Sequence, residues 1–569
     1  MFRHLLPILT ALPLLAHAQT PMSDQEVKDQ MKFDVQYLAS DRLEGREAGT
    51  NGERLAADYV RQKFESIGLM PYGDSTSYLQ RFPFMAPPRV GDKCSLQVGR
   101  KRLKQGEEYF PLDMSASGAV LTKLMKCGYG IQAPDLGYDD YEGVDVKGRA
   151  AAFSISSPDG IHPHSKYLTY HDLRARVEKA VQLGAVAVIL YNNDPTADPP
   201  SPEMSDKAIP VGVPVVYIVG DLYKQVIETG NPVAVNVDIV REERTAMNVI
   251  GMIDNGKPNT VVIGAHFDHL GLGGKGSLYT GDPAIHNGAD DNASGVAVLL
   301  QLARDLSQMN EARGNDYLFI AFSGEEKGLY GSNWWTKHPT LPLAGINYMI
   351  NMDMVGRLDS AHHLAIYGTG TSPRWDSVLT VLRKPVKEHA RRWEAEADTF
   401  AIKMNPEGVG PSDHTSFYLQ DIPVLHFFTG QHADYHKPSD DEEKINYTGM
   451  LQVTRFIERL ILAVNDQGEL PFAKTADADT ASAPRFTVTL GVIPDYMFSG
   501  KGMAIDGVHE GKPAAKAGLK KGDVVVRLGN VEVTDMNSYM KALAALKKGD
   551  RAKVRVLREG TEMGMDIQF

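Results

Sequence analysis

The pattern of apolar and polar positions changes texture several times along the chain. Near the start, Ser23 and Glu26 have capping-box spacing, and Met31, Val35 and Leu38 follow at helical intervals. A second helix is predicted from Ala56, Val60, Phe64 and Ile67, stopped by Gly68. Between the two, Leu43-Glu44-Gly45-Arg46 reads as a loop rich in glycine and charge. From about Cys94 to Arg241, short strand-like runs alternate with Gly, Pro and Asp turns. One helix stands out there, with Leu173, Val177 and Val181 on one face and Gly184 closing it, before a buried-looking strand over Ala185 to Tyr191. This stretch, 95–241, reads as a small α+β domain inserted into the main one.

From Asn248 to about Asp466 the pattern is strand, loop and helix, repeated. Val261 to Ala265, Tyr317 to Phe322, Tyr348 to Met352 and Pro423 to Phe428 are short apolar runs, with amphipathic helices between them such as that of Leu299, Leu302, Ala303 and Leu306. Such alternation predicts an α/β domain with a largely parallel sheet, built from 19–94 and 242–468. Residues 469–484 are small, polar and aperiodic, and read as a linker. A last compact domain, 485–569, has strands at Val524 to Leu528 and Lys553 to Leu557 and a helix carrying Tyr539, Met540, Leu543 and Leu546.

Bulk properties narrow this picture. A chain of 569 residues is too long for one hydrophobic core, in line with several domains. A net charge of −12 argues against a nucleic-acid partner, which asks for a basic face. Residues 1–18 read as a signal peptide: Arg3 gives the positive end, Leu5 to Leu15 is mostly apolar, and Ala16-His17-Ala18 is a small-x-small cleavage site. The expectation is an exported protein, periplasmic or extracellular, with no membrane span. The two cysteines, Cys94 and Cys127, lack zinc-thiolate number and spacing, and sequence leaves open whether they form a disulfide. Metal chemistry here has to come from His and carboxylates.

Candidate chemistry clusters after the strand-like runs. His266-Phe267-Asp268-His269 follows the first of them directly; His266 can offer a neutral imidazole to a metal, and Asp268 could accept its other ring N–H. Asn287-Gly288-Ala289-Asp290-Asp291-Asn292 precedes a helix; capping explains one acid, but not the density of acids and glycines. Glu325 and Glu326 end the next strand, and in a metal site adjacent glutamates divide labour between general base and ligand. Asp353 lies inside an otherwise apolar run, where an unpaired carboxylate is costly. His436, in Asp434-Tyr435-His436-Lys437-Pro438, supplies a last imidazole. Imidazole plus carboxylate suits catalytic zinc.

In order and content these motifs resemble the M28 family of two-zinc metallopeptidases, which includes leucyl-type aminopeptidases. The resemblance implies a three-layer αβα sandwich and two Zn2+ as cofactors. It implies that His266 and Asp353 serve one zinc, Glu326 and His436 the other, and that Asp291 bridges both. Glu325 would be the catalytic general base and Asp268 the partner of His266. Asp291-Asn292 matches a position where the family often has a cis peptide. Leu43-Glu44-Gly45-Arg46 and Ser412-Asp413-His414 also match family segments, but Gly408-Val409-Gly410-Pro411 carries no Tyr where some relatives use one at the oxyanion. Tyr435, His426 or a zinc alone remain open for that role.

The insert resembles a protease-associated (PA) domain, through Gly128-Tyr129-Gly130, Val144-Asp145-Val146-Lys147-Gly148 and Gly184-Ala185-Val186-Ala187. The last domain resembles a PDZ domain, with Leu490, Gly491 and Val492 as its carboxylate-binding loop. The partners implied are peptide substrates and, at the PDZ domain, a protein C-terminus. The expected activity is that of an exopeptidase, an aminopeptidase in the first place. A carboxypeptidase or dipeptidase on the same fold is the alternative, with Arg357 as a candidate carboxylate-binding cation. A catalytically silent peptide-binding protein is another.

Overall fold

The computed structural model describes residues 22–569 apart from 87, 163, 203, 205–208, 275, 384–399, 476–487, 495–497, 499, 509–511, 535 and 548. The signal peptide read at 1–18 and most of the linker read at 469–484 lie outside the described residues. Among the described residues, no helix is long and apolar enough to cross a membrane. Chain contacts divide the protein into Pro83–Thr245 and the remainder.

The larger unit is built on a mixed sheet. Its main path is β1 (Met70–Pro71), β2 (Glu243–Ile253), β3 (Thr260–His266), β4 (Asp316–Phe322), β5 (Ile346–Met352), β6 (His363–Tyr367), β7 (Ala401–Asn405) and β8 (Val424–Phe428), in spatial order β1-β2-β4-β3-β5-β8-β6-β7, with the further strand Leu79–Met85 paired to β2. The central block β4-β3-β5-β8 is parallel, while β2 and β6 join it antiparallel. β3, β4, β5 and β8 are buried at every position. That explains why they read as continuous apolar runs rather than as alternating ones.

Successive side chains still go to opposite faces. Val261, Ile263, Phe319, Ile350 and Phe427 join one apolar cluster, and Val262, Leu318, Ile320, Met349 and Val424 join another. The first packs under α1 (Asp24–Leu38), α2 (Asn51–Ile67), α3 (Gly295–Gln308) and α7 (Tyr447–Val464); the second lies towards α4 (Tyr330–Lys337) and α6 (His414–Tyr418), with α5 (Pro373–Leu382) packed on α7. The result is a three-layer αβα sandwich. The capping box at Ser23 and Glu26 forms, and Gly68 ends α2 in the left-handed region, at φ 89°.

The Leu43-Glu44-Gly45-Arg46 segment, expected as a loop rich in glycine and charge, is closely held. It is a tight 3-10 turn whose Arg46 is buried and donates to the carbonyls of Leu38, Phe267 (2.8 Å), Asn287 (2.6 Å) and Gly288 (3.1 Å). Gly45 sits at φ 71°, and a Cβ there would lie 2.4 Å from the Gly271 carbonyl oxygen, so the turn requires glycine.

The Pro83–Thr245 unit has its own sheet and two apolar clusters. Its strands Gly118–Lys126, Ala150–Ser154, Ala187–Tyr191 and Val215–Ile218 are parallel. Arg176, on the helix Leu173–Gln182, is buried and donates to the carbonyls of Tyr129, Ser154, Ile155, Ser156 and His171, the same use of arginine as at Arg46. Cys94 and Cys127 are both free thiols. Burial pushes the Cys127 thiol up to about 12, so it stays protonated.

Residues 488–569 carry a separate apolar cluster around Met503, Ile505, Val525, Val554 and Ile567. Leu490 is part of this core. Gly491 has φ 76°, and Val492–Pro494 is an edge strand paired only to Met503–Val508 among the described strands.

Candidate metal centre

The carboxyl ends of the parallel strands converge on one place, as open α/β sheets tend to arrange. His266 is the last residue of β3, in register with Phe322, which ends β4. The chain leaves β4 into Ser323-Gly324-Glu325-Glu326, and leaves β5 directly into Asp353. Asp291 comes from the turn before α3, and its peptide bond to Asn292 is cis. His436 follows β8 and has φ 53°.

Two groups of donor atoms result. His266 Nε2 lies 3.2 Å from Asp353 Oδ1 and 3.3 Å from Asp291 Oδ1. His436 Nε2 lies 3.2 Å from Asp291 Oδ2 and 3.3 Å from Glu326 Oε2. Two ligand atoms at about 2.0–2.1 Å from a tetrahedral zinc stand about 3.3 Å apart. Both spacings are therefore those of ligands around such an ion, and the two oxygens of Asp291 face one group each. Three buried or nearly buried carboxylates at this spacing also need a cation to be tolerable.

His269 is a residue that the sequence reading passed over. It is fully buried, with Nδ1 2.7 Å from Glu326 Oε1 and 3.9 Å from Asp291 Oδ2, and these three donors also fall within metal-binding reach. The 2.7 Å contact is a hydrogen bond rather than a ligand–ligand edge. We therefore read His269 as holding Glu326 in place, with His436 as the imidazole of that group. The signal was present in His266-Phe267-Asp268-His269, but nothing local says which way the second imidazole turns.

The electrostatics follow from crowding. Burial alone would lower the His266 imidazole, but Asp353 and Glu325 around it win and raise it well above the ordinary value. His436 behaves alike, with burial opposed by Glu326 and Asp291. Burial raises the Glu325 carboxyl well above the carboxylate range; Asp353 and Glu326 add to this, while His266 opposes it. Burial would raise Asp291 too, yet hydrogen bonds to His266 and His436 hold it well below its usual value.

The surrounding shell fixes these groups. Asp268 faces His266 with both its main-chain oxygen and its carboxylate. His266 Nδ1 is 3.1 Å from the Asp268 main-chain oxygen and 3.7 Å from Oδ1. Asp268 Oδ1 also accepts the Glu325 N–H at 3.1 Å. The carboxylate thus positions the adjacent-glutamate turn, because β3 and β4 are parallel and both loops leave at the same edge. His436 Nδ1 contacts the Gly276 oxygen at 2.8 Å. Buried Asp440 accepts the N–H groups of Asp290 (2.9 Å) and Asp291 (3.1 Å) on one oxygen. Ser412 donates to Asp353 Oδ2 at 2.8 Å.

A cavity of about 360 Å³ opens over the centre. Its polar side has Asp291, Glu325, Glu326, Asp353 and His436, and its apolar side has Leu329, Met354, Tyr367, Pro411 and Phe428. No Lys or Arg lines it among the described residues. Arg357, considered above as a carboxylate-binding cation, is engaged elsewhere: it lies 3.1 Å from Asp434 and 3.9 Å from Asp440 and does not line the cavity.

Residues 248–461 match the model of peptidase family M28, and residues 485–568 match that of the PDZ domain. Residues 248–461 are thus an M28 peptidase domain. Aminopeptidase YwaD of Bacillus subtilis (strain 168) is 27% identical over 462 residues, which cover 78% of this chain and 86% of that protein. The uncharacterized protein YfbL of Escherichia coli (strain K12) is 30% identical over 34% of this chain and 63% of its own length. Among solved structures, a zinc aminopeptidase from Bacillus subtilis is 23% identical, over 79% of this chain and 97% of its own, with a TM-score of 0.45. The M28 match spans His266, Asp291, Glu325, Glu326, Asp353 and His436.

Proposed function

We propose that this M28 peptidase is an exported two-zinc aminopeptidase. The observation that carries the polarity is the lining of the cavity, which has four carboxylates and, among the described residues, no cationic Lys or Arg. The charges of the ligand carboxylates are offset by the two zincs, so the polarity rests on the missing cation: a peptide C-terminal carboxylate would find no Lys or Arg there to pair with. The apolar side would take the side chain of the N-terminal residue. Export rests on residues 3–18 alone.

His266, Asp291 and Asp353 would hold one zinc, and Asp291, Glu326 and His436 the other. When bound, the pair supplies Lewis-acid polarisation of a carbonyl and a water of lowered pKa. Glu325 takes a proton from the attacking water and returns it to the leaving amine nitrogen. Burial, with Asp353 and Glu326 adding to it, raises its pKa, which makes its ionised form a stronger base than an ordinary carboxylate. Asp268 holds the Glu325 main chain, and Ser412 holds Asp353, so that base and ligand keep their spacing. The Pro83–Thr245 unit is read as a PA module and residues 485–569 as a peptide-binding PDZ module, neither of them part of the bond-breaking chemistry.

The test is zinc stoichiometry on the full chain, with cleavage of N-terminally free and N-blocked peptides. Two zincs with cleavage of free N-termini only is the expected result. Cleavage of blocked peptides would overturn the aminopeptidase reading. Glu325→Gln should keep its zinc while kcat falls by about 10²–10⁴. Retained activity in that variant would remove Glu325 from the base role.

A further inference from the structure

The reaction proposed above, on which this inference rests, builds negative charge on the carbonyl oxygen, and His426, which lines the cavity, is a neutral donor placed to meet it. His426 lies on β8, in register with Asn351 on β5 and with Tyr367 on β6. Its ring lines the cavity. It stacks on His414 at 4.5 Å with 2° between planes, and on Phe428 at 6.3 Å, so its orientation is fixed.

A chain of hydrogen bonds decides where its proton sits. Asp353, as a carboxylate, can only accept, so Ser412 Oγ gives its proton to Asp353 Oδ2 at 2.8 Å. Ser412 Oγ must then accept from Asn351, 2.8 Å away, which turns the amide so that Nδ2 faces it. The same Nδ2 faces His426 Nδ1 at 3.1 Å. An NH₂ group can only donate, so Nδ1 is the acceptor and the proton of a neutral ring is on Nε2. The reversed amide would draw the Ser412 proton away from a carboxylate beside the centre. Nε2 has no hydrogen-bond partner among the described residues, yet it is not among the polar atoms sealed from solvent. Burial pushes the imidazole down to about 4, against a smaller opposing effect of Asp353, so it is neutral at neutral pH.

We propose that His426 is a catalytic residue, donating its Nε2–H to the scissile carbonyl oxygen and to the oxyanion that develops there. No proton is transferred: as water adds to the carbonyl carbon, the oxygen gains charge and the hydrogen bond strengthens. A donor already oriented when the charge appears costs no reorganisation. Two neighbouring sources offer less. The Ser412 proton is committed to Asp353, and residues 408–411 are Gly-Val-Gly-Pro, with no donor side chain.

The test compares the zinc-loaded full chain with His426→Phe and His426→Gln. Phe keeps the stacking and loses the donor; Gln restores an N–H near Nε2. Readouts are zinc content, kcat and KM on aminoacyl 4-nitroanilides with several N-terminal side chains, and inhibition by an aminoalkyl boronic acid and by a simple alkylamine. The expected result for Phe is two zincs, kcat lower by about 100–1000-fold on every substrate and little change in KM. Boronate binding should weaken in step, alkylamine binding should hold, and Gln should recover part of the loss. Unchanged kcat in both variants would overturn the proposal. So would a loss that depends on the N-terminal side chain, which would make His426 a specificity contact. If the wild type binds zinc but hydrolyses no peptide, the aminopeptidase reading fails first, and this inference with it.

Discussion

His414 shows how a single residue's environment sets a measurable property. It is fully buried, both ring nitrogens lack partners, and burial, with His426 beside it, lowers its pKa well below the ordinary value. The unfolded chain therefore takes up a proton near the ordinary 6.5 while the folded one refuses it. That contribution to stability is intact above this pH and is lost as pH falls below it. His414→Phe keeps a stacked ring and removes two unpaired nitrogens, each of which costs about 1–3 kcal/mol. It should raise Tm, and by more at pH 5 than at pH 8, as thermal unfolding at both values would show. An equal rise at both would mean that protonation is not involved. In the sequence His414 is only part of a matching motif; the burial and the stacking on His426 that keep it neutral come from the folded packing around it.

At the level of elements, the centre depends on loops being held in register more than on the loops themselves. Arg46 joins the end of α1, the loop after β3 and the turn before α3 through four main-chain carbonyls. Hydrogen bonds to a charged donor contribute about 1.5–3 kcal/mol each, so Arg46→Lys, which loses most of them, should destabilise by about 3 kcal/mol or more. Because the clamp spans the His266 and Asp291 loops, the variant should also lose zinc to a chelator at lower concentration than the wild type. Titration with a chelator, followed by zinc analysis, checks this. Zinc retention equal to wild type alongside a lower Tm would confine Arg46 to folding. Sequence placed these residues in a charged loop, since a 3-10 turn closed by contacts 221 to 242 residues away has no local pattern.

For the whole molecule, the apolar clusters are separate. Those of the Pro83–Thr245 unit draw on residues within that unit, and that of the PDZ domain on residues 488–569. Thr475 still belongs to the catalytic part, bonding Tyr418 Oη and the Gly408 N–H. A chain ending at residue 475 should therefore keep two zincs and wild-type kcat on aminoacyl 4-nitroanilides. Loss of zinc on that truncation would show that the PDZ domain supports the centre. Stripping zinc from the full chain should abolish hydrolysis and lower Tm, since an ion bound only by the native state stabilises it, and adding zinc back should restore both.

The alternating strands and helices of the main domain were legible because a strand buried on both faces has to be written as an unbroken apolar run. The donors His266, Asp291, Glu326, Asp353 and His436 were legible for a related reason: polar groups placed where such runs stop have little else to explain them. Tertiary structure decided how these groups are used. It turned the Asp268 carboxylate to the Glu325 N–H, set His269 against Glu326, tied up Arg357 with acids, and put Asn351 beside His426 so that one tautomer is imposed. Each of these is a contact between side chains on different strands or loops. Periodicity records which face a residue occupies, but hydrogen-bond partners across a sheet are fixed only by its order and register.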